Sequence, residues 1–321
     1  MTPLVQVEHL CKYFKTPRGQ LHAVEDLSFT IEDKTTLGVV GESGCGKSTL
    51  GRTVMGLHES TAGTLYFEGE DITHPNRAQK KAMHKNIQMI FQDPYSSLDP
   101  RMCVSDLIAE PMKAMGLYKD KNERDHRVAE LMDTVGLSRR FAFSYPHELD
   151  GGRRQRIGIA RALSVDPKFI VCDEPVSALD VSIQAQILNL LQDLQDERGL
   201  TYMFITHNLS VVKHISHAIL VMYLGCEVEM CPSKELFQRP LHPYTKGLLS
   251  AIPIPSIHVK REEIIMKGEV TSPINPKPGC RFASRCPYAK DKCHESLPPV
   301  EEVLPGHYCA CHYVRELNDL T

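Results

Sequence analysis

Several short stretches of this chain carry side chains that can do phosphate chemistry. Gly41-Glu42-Ser43-Gly44-Cys45-Gly46-Lys47-Ser48-Thr49 reads G-x-x-x-x-G-K-S. Glycines at those places let the backbone turn tightly, so that successive N–H groups face a single anion. Lys47 can reach the β- and γ-phosphates of a nucleoside triphosphate, and the Ser48 hydroxyl can ligate Mg²⁺. Further along, the apolar run Phe169-Ile170-Val171-Cys172 ends in Asp173-Glu174. An aspartate at a strand end suits Mg²⁺, directly or through water. The glutamate beside it suits a general base for water attacking a γ-phosphate. Gln92 and His207 each follow an apolar stretch. Gln92 could orient Mg²⁺ or water, and His207 could sense the γ-phosphate. Taken singly, the first also fits a solvated loop and the second a structural histidine.

These residues need a sheet to hold them. Residues 36–40 read as a buried strand and 48–57 as the helix whose N-terminus adds partial positive charge at the loop. Residues 4–10 and 27–31 alternate apolar and polar, as antiparallel strands do. Between them Tyr13 and Phe14 offer an aromatic that could stack on a base, or an ordinary edge-strand ring. Strands are expected over 63–69, 87–91, 168–174, 203–207, 218–222 and 225–228. Helical periodicity runs from Ser105 to Leu137 with a polar middle, which predicts helices on an exposed lobe. After Pro146, the run Leu149-Asp150-Gly151-Gly152-Arg153-Arg154-Gln155-Arg156 opens a helix expected over Ile157 to Leu163. Another follows Asp180, with Ile183, Ile187, Leu190, Leu191 and Leu194 on one face, and His242-Pro243-Tyr244-Thr245 leads into a short one ending near Ala251. Pro253 and Pro255 mark a linker. The tail beyond them, rich in Pro and Cys, reads as a small module stabilised by something other than an apolar core.

Composition narrows the function. The 321 residues allow one large domain or two, with 42% hydrophobic and 24% charged residues. A net charge of −3 gives no basic field for nucleic acid. No apolar run is long enough to span a bilayer, and the N-terminus lacks a basic-then-apolar leader, so the cytosol is expected. Of 11 cysteines, Cys280, Cys286, Cys293, Cys309 and Cys311 fall in the last 42 residues. In a reducing compartment such a cluster points to a metal site before a disulfide framework. Four thiolates can bind Zn²⁺ or an iron–sulfur cluster, and the lack of a C-x2-C pair weakens the zinc-ribbon reading. Free thiols remain the alternative.

The order of these motifs resembles the ATP-binding subunit of ABC transporters over nearly the whole chain. The resemblance implies an α/β fold: a RecA-like P-loop ATPase core, an antiparallel β subdomain and a helical subdomain at about 100–163. It divides the chain into an ABC nucleotide-binding domain, 1–252, and a Cys-rich C-terminal region, 253–321. It implies ATP and Mg²⁺ as cofactors, with Gly41 to Thr49 on the phosphates and Ser48, Gln92 and Asp173 on the metal. Glu174 is then the catalytic base, Asp180 the D-loop acid, His207 the switch histidine and Gln92 the Q-loop residue. Phe14 is the ring that stacks on adenine, with Tyr13 the near alternative. The run 91–101, His242-Pro243-Tyr244-Thr245-Lys246-Gly247-Leu248-Leu249 and the cysteine tail are similar to oligopeptide and dipeptide importers. That subfamily implies a peripheral subunit on the cytoplasmic face of the membrane, bound to two transmembrane permeases and fed by an extracytoplasmic binding protein. Nickel or metallophore import is an alternative cargo, and a soluble regulatory ATPase an alternative role. Relatives carry a [4Fe-4S] cluster, which would use Cys280, Cys286, Cys293 and Cys311, with Cys309 the alternative fourth ligand.

One departure has a physical consequence. The family signature is L-S-G-G-Q, and this chain has Leu149-Asp150-Gly151-Gly152-Arg153. In the family the signature of one subunit closes over the ATP of the other. A carboxylate in place of the serine would face a γ-phosphate, and two like charges about 4 Å apart repel by roughly 4 kcal/mol at an effective dielectric near 20. Arg153 can offset this by pairing with Asp150 or with the phosphate. The expectation is a heterodimer with one impaired site, against the simpler reading that the substitution is tolerated.

Overall fold

The computed structural model describes residues 2–93, 95–252, 266, 268 and 271–320. Pro94, Pro253 and Pro255 lie outside them. The chain forms two compact units, the first from residues 1–31, 36–73 and 206–321, the second from 32–35 and 74–205.

In the first unit Val5–Thr16 and Gly19–Ile31 form a long antiparallel pair, and Ala62–Phe67 and Glu70–Asp71 extend it. The pair is longer than the alternation at 4–10 and 27–31 suggests. Its register shifts three times between Val7 and Tyr13, and each irregularity resets the apolar-polar period. The strand Thr36–Val40 is buried throughout and pairs in parallel with Ala218–Tyr223. That strand turns back into Cys226–Pro232.

The tail continues this sheet. His307–Cys309 pairs with Cys226–Pro232, and Glu301–Leu304 pairs with His307–Cys309. Leu241, Val303, Cys309 and Val314 form a small buried apolar cluster there. Sequence periodicity missed both strands, which are 4 and 3 residues long, too short to show alternation.

The second unit holds three parallel strands in the order Thr201–Thr206, Phe169–Asp173, Ile87–Ile90. Around them stand the helices Val104–Met115, Lys121–Thr134, Gly151–Leu163 and Val181–Arg198. In the last of these Ile187, Leu188, Leu191 and Leu194 are buried, while Ile183 and Leu190 are only half-buried. The helix Arg77–Asn86 was not legible as a stripe, because Met83 is its buried residue. It is held instead by a capping box between Asn76 and Gln79.

Candidate active site

In the first unit the strand Thr36–Val40 delivers the chain into the glycine loop. Gly41 has φ of +153°, and a Cβ there would lie 2.2 Å from the Met222 carbonyl oxygen. Gly46 has φ of +104° and caps the helix Lys47–Val54; a Cβ on it would lie 2.0 Å from the Ala23 carbonyl oxygen. Only glycine fits either place. The Gly225 N–H donates to the Cys45 carbonyl at 2.8 Å and so fastens the loop, and the Gly225 carbonyl in turn accepts from the Glu25 N–H at 2.8 Å.

Lys47 is buried, and its ammonium donates to the Gly41 and Glu42 carbonyls at 2.8 and 2.9 Å. Ser43 and Gly44 are exposed at the tip of the loop, and Ser48 and Thr49 are half-buried in the first helical turn. Cys45 is buried beneath the loop, and burial pushes its thiol pKa up. His207, also in this unit, is exposed directly after the strand Thr201–Thr206.

The two candidate stacking rings differ in their commitments. The Tyr13 ring stacks on His22, with centroids 4.2 Å apart, and its hydroxyl donates to Glu25 at 2.6 Å. Phe14 meets His58 edge-on at 5.5 Å, and the Lys12 ammonium lies 4.7 Å from its centroid.

In the second unit Asp173 is fully buried at the end of its strand. Glu174 follows with φ of +46°, a left-handed conformation that costs a non-glycine residue about 1–3 kcal/mol. Its backbone N–H donates to the Ile205 carbonyl at 2.9 Å. Its carboxylate accepts from Gln92 Nε2 at 2.9 Å, joining two of the sequence-predicted residues. The stretch after Gln92 is held to the helix Gly151–Leu163 by two arginines. The Arg154 guanidinium lies 3.5 Å from the Tyr95 ring centroid, and Arg161 donates to the Ser97 carbonyl at 2.5 Å. Sequence reasoning gave neither arginine a role.

Asp150 is the N-cap of that same helix. Its carboxylate accepts the Arg153 N–H at 2.8 Å and pairs with the Arg153 guanidinium. The expected partner of the carboxylate is therefore Arg153 itself. Both side chains are about half exposed, so the pair is screened and weak. Gly151 and Gly152 pack against the segment after Ser177: a Cβ would lie 3.2 Å from Leu179 and 2.8 Å from Ile183 respectively. Asp180 caps the next helix by accepting from Ile183 N–H at 3.1 Å and Ser182 Oγ at 2.8 Å, and these bonds hold its pKa down.

In the tail, Cys280, Cys286, Cys293 and Cys311 line one cavity with Phe282 and His312. Cys309 is elsewhere, in the apolar cluster with Leu241 and Val303. Burial pushes the Cys280 thiol up to about 12 and Cys311 up to about 11.

A compact donor group that sequence reasoning missed is Glu229, Cys231 and His307, all buried. The Glu229 carboxylate is already engaged there. It accepts Leu241 and His242 N–H at 2.7 and 3.0 Å and bonds His307 Nε2 at 2.7 Å. These bonds tie the tail strand to the start of the helix Pro243–Ser250.

Among the described residues no helix is long and apolar enough to cross a membrane. Two family models match the sequence: "ABC transporter" over residues 24–177, and "Oligopeptide/dipeptide transporter, C-terminal region" over 228–293. The chain is 57% identical over 310 residues to the oligopeptide transport ATP-binding protein OppF of Bacillus subtilis, covering 96% of each. It is 51% identical over 316 residues to the putative oligopeptide transport ATP-binding protein YkfD of the same organism, covering 98% of this chain and 96% of that protein. Among solved structures it is similar to the dimeric, post-hydrolysis ATP-binding cassette MJ0796 bound to ADP and Pi. The TM-score is 0.63 at 28% identity, over 69% of this chain and 95% of that one.

Proposed function

The chain belongs to the ATP-binding subunits of oligopeptide/dipeptide-type ABC transporters, and from that premise we propose that it energises peptide import across the cytoplasmic membrane. It is an ABC ATPase with an α/β fold. In this reading it sits as a peripheral subunit on the cytoplasmic face, beneath two permease subunits that receive peptide from an extracytoplasmic binding protein. The observation that carries the choice of cargo is the match of the C-terminal region together with relatives named for oligopeptide transport. It favours peptide over nickel or a metallophore, and transport over a soluble regulatory role. Residues 1–252 are the nucleotide-binding domain and 253–321 the Cys-rich C-terminal region.

The chemistry follows from the residues. Gly41 to Thr49 receive the phosphates, with Lys47 on the β and γ groups. Ser48, Gln92 and Asp173 serve Mg²⁺. Phe14 stacks on adenine, which is consistent with the Tyr13 ring being taken up by His22 and Glu25. Glu174 accepts the proton of the attacking water. Its bond to Gln92 and its strained backbone support a role in which the carboxylate is held in a set direction. Lys47, Mg²⁺ and His207 hold the charge that develops on the γ-phosphate.

Two ATP-binding subunits pair, and Asp150, Gly151, Gly152 and Arg153 close over the partner's ATP. Asp150 makes that second site the weaker one, although its pairing with Arg153 reduces the handicap below that of a lone carboxylate. In the tail, Cys280, Cys286, Cys293 and Cys311 hold a [4Fe-4S] cluster. Their shared cavity, which Cys309 does not line, supports that donor set over one with Cys309.

The test is ATP turnover and peptide uptake by the assembled transporter with Glu174→Gln and, separately, with the partner's base removed. The first change is expected to abolish both activities and the second to leave a measurable fraction. Equal losses would contradict the asymmetry.

A further inference from the structure

A carboxylate inside a phosphate-binding loop is an electrostatic liability. Glu42 is the second residue of the glycine loop, next to the place where a triphosphate's negative charge would gather. In this chain its charge is met from 243 residues away in sequence. Arg285 donates from Nη1 to Glu42 Oε2 at 2.7 Å and from Nη2 to Oε1 at 3.1 Å. This is a two-pronged guanidinium–carboxylate pair, the strong and directional form of the contact. The Arg285 side chain is only 9% exposed, so water screens the pair poorly.

The backbone of Glu42 is held as well. Its N–H donates to the Tyr244 hydroxyl oxygen at 2.9 Å. Tyr244, Tyr223 and Phe282 pack ring against ring, with centroids 4.8–5.3 Å apart. Phe282 lies in the turn that carries Arg285, and the Arg285 N–H donates to the Phe282 carbonyl at 3.0 Å. The arginine is therefore fixed at both ends, by a hydrogen-bonded turn and by the loop it grips.

We propose that Arg285 is a positioning residue for ATP: it draws the Glu42 carboxylate away from the phosphates, so that the loop's affinity for nucleotide depends on the C-terminal segment. The inference rests on the reading that residues 41–49 bind ATP. Its distinctive consequence is charge rescue. If Arg285 serves to hold off a negative charge, then removing that charge restores much of what its loss costs.

The experiment is a titration of the full-length chain with Mg-ATP, with thermal unfolding recorded for each variant. Arg285→Ala is expected to raise the dissociation constant about tenfold, the scale of one charge-assisted bond. Arg285→Lys, which keeps the charge and loses the fork, is expected to fall between the two. Arg285→Ala combined with Glu42→Gln is expected to bind ATP several-fold tighter than Arg285→Ala alone, even where both unfold at the same lowered temperature. Native affinity in Arg285→Ala would overturn the proposal, and so would a double variant as weak as the single one. Absence of ATP binding by the unaltered chain would overturn the assignment of the loop itself, a result distinguishable from both.

Discussion

The chain contains two glycine turns that start helices, and they are capped in opposite ways. The phosphate loop enters the helix Lys47–Val54 through Gly46 in a left-handed conformation, with no side-chain cap and no acidic residue in the first turn. The signature turn enters Gly151–Leu163 through Asp150, whose own carboxylate caps the helix. A helix N-terminus always presents N–H groups that need acceptors. At the first turn no side chain caps those groups, and at the second the Asp150 carboxylate does. The lysine of the first is buried among loop carbonyls, while the arginine of the second lies half exposed against its neighbour's carboxylate. A glycine pattern alone does not show whether a helix N-terminus is capped from within; the residue before the helix does.

That contrast can be broken at either turn. Lys47→Ala is expected to have the largest effect, weakening ATP binding about 100-fold or more, since it would lose two charge-assisted phosphate contacts of roughly 1.5–3 kcal/mol each. Equilibrium titration with Mg-ATP measures it, and an unchanged affinity would remove the loop from the site. Gly46→Ala comes next. It forces a side chain into a left-handed backbone and against the Ala23 carbonyl, at a combined cost of about 2–4 kcal/mol. Thermal unfolding should show that loss together with weaker nucleotide binding. Asp150→Ser is the smallest. It keeps a capping oxygen and removes the charge, so stability should hold within about 0.5 kcal/mol. ATP turnover by the assembled pair should rise about two- to fivefold, a screened surface charge being worth at most about 1 kcal/mol.

Much of the site was legible in the sequence because its chemistry depends on short, fixed spacings. The loop from Gly41 to Thr49 and the strand ending in Asp173-Glu174 stand where their residue types put them. The capping of Asp150 and its pairing with Arg153 were also accessible, being contacts three residues apart. What stayed hidden was long-range or irregular. The grip of Arg285 on Glu42 joins distant segments and leaves no periodic trace. Nothing in the sequence marks Arg154 and Arg161 out, although each reaches the stretch after Gln92. The left-handed backbone at Glu174 has no signal in residue type, because glutamate does not favour it. Cys309 and Cys311 are two positions apart in sequence and both meet the small apolar cluster, and only folding shows that Cys311 also lines the thiol cavity while Cys309 does not.

The central claim is that the first turn binds this chain's own ATP and the second acts on its partner's. Photoaffinity labelling of the assembled pair with an azido-ATP analogue, scored separately on each subunit, tests it most directly. Lys47→Ala is expected to remove label from this chain, while Asp150→Ser leaves this chain's label intact and increases the partner's. Loss of this chain's label in Asp150→Ser, or an unchanged label in Lys47→Ala, would contradict it.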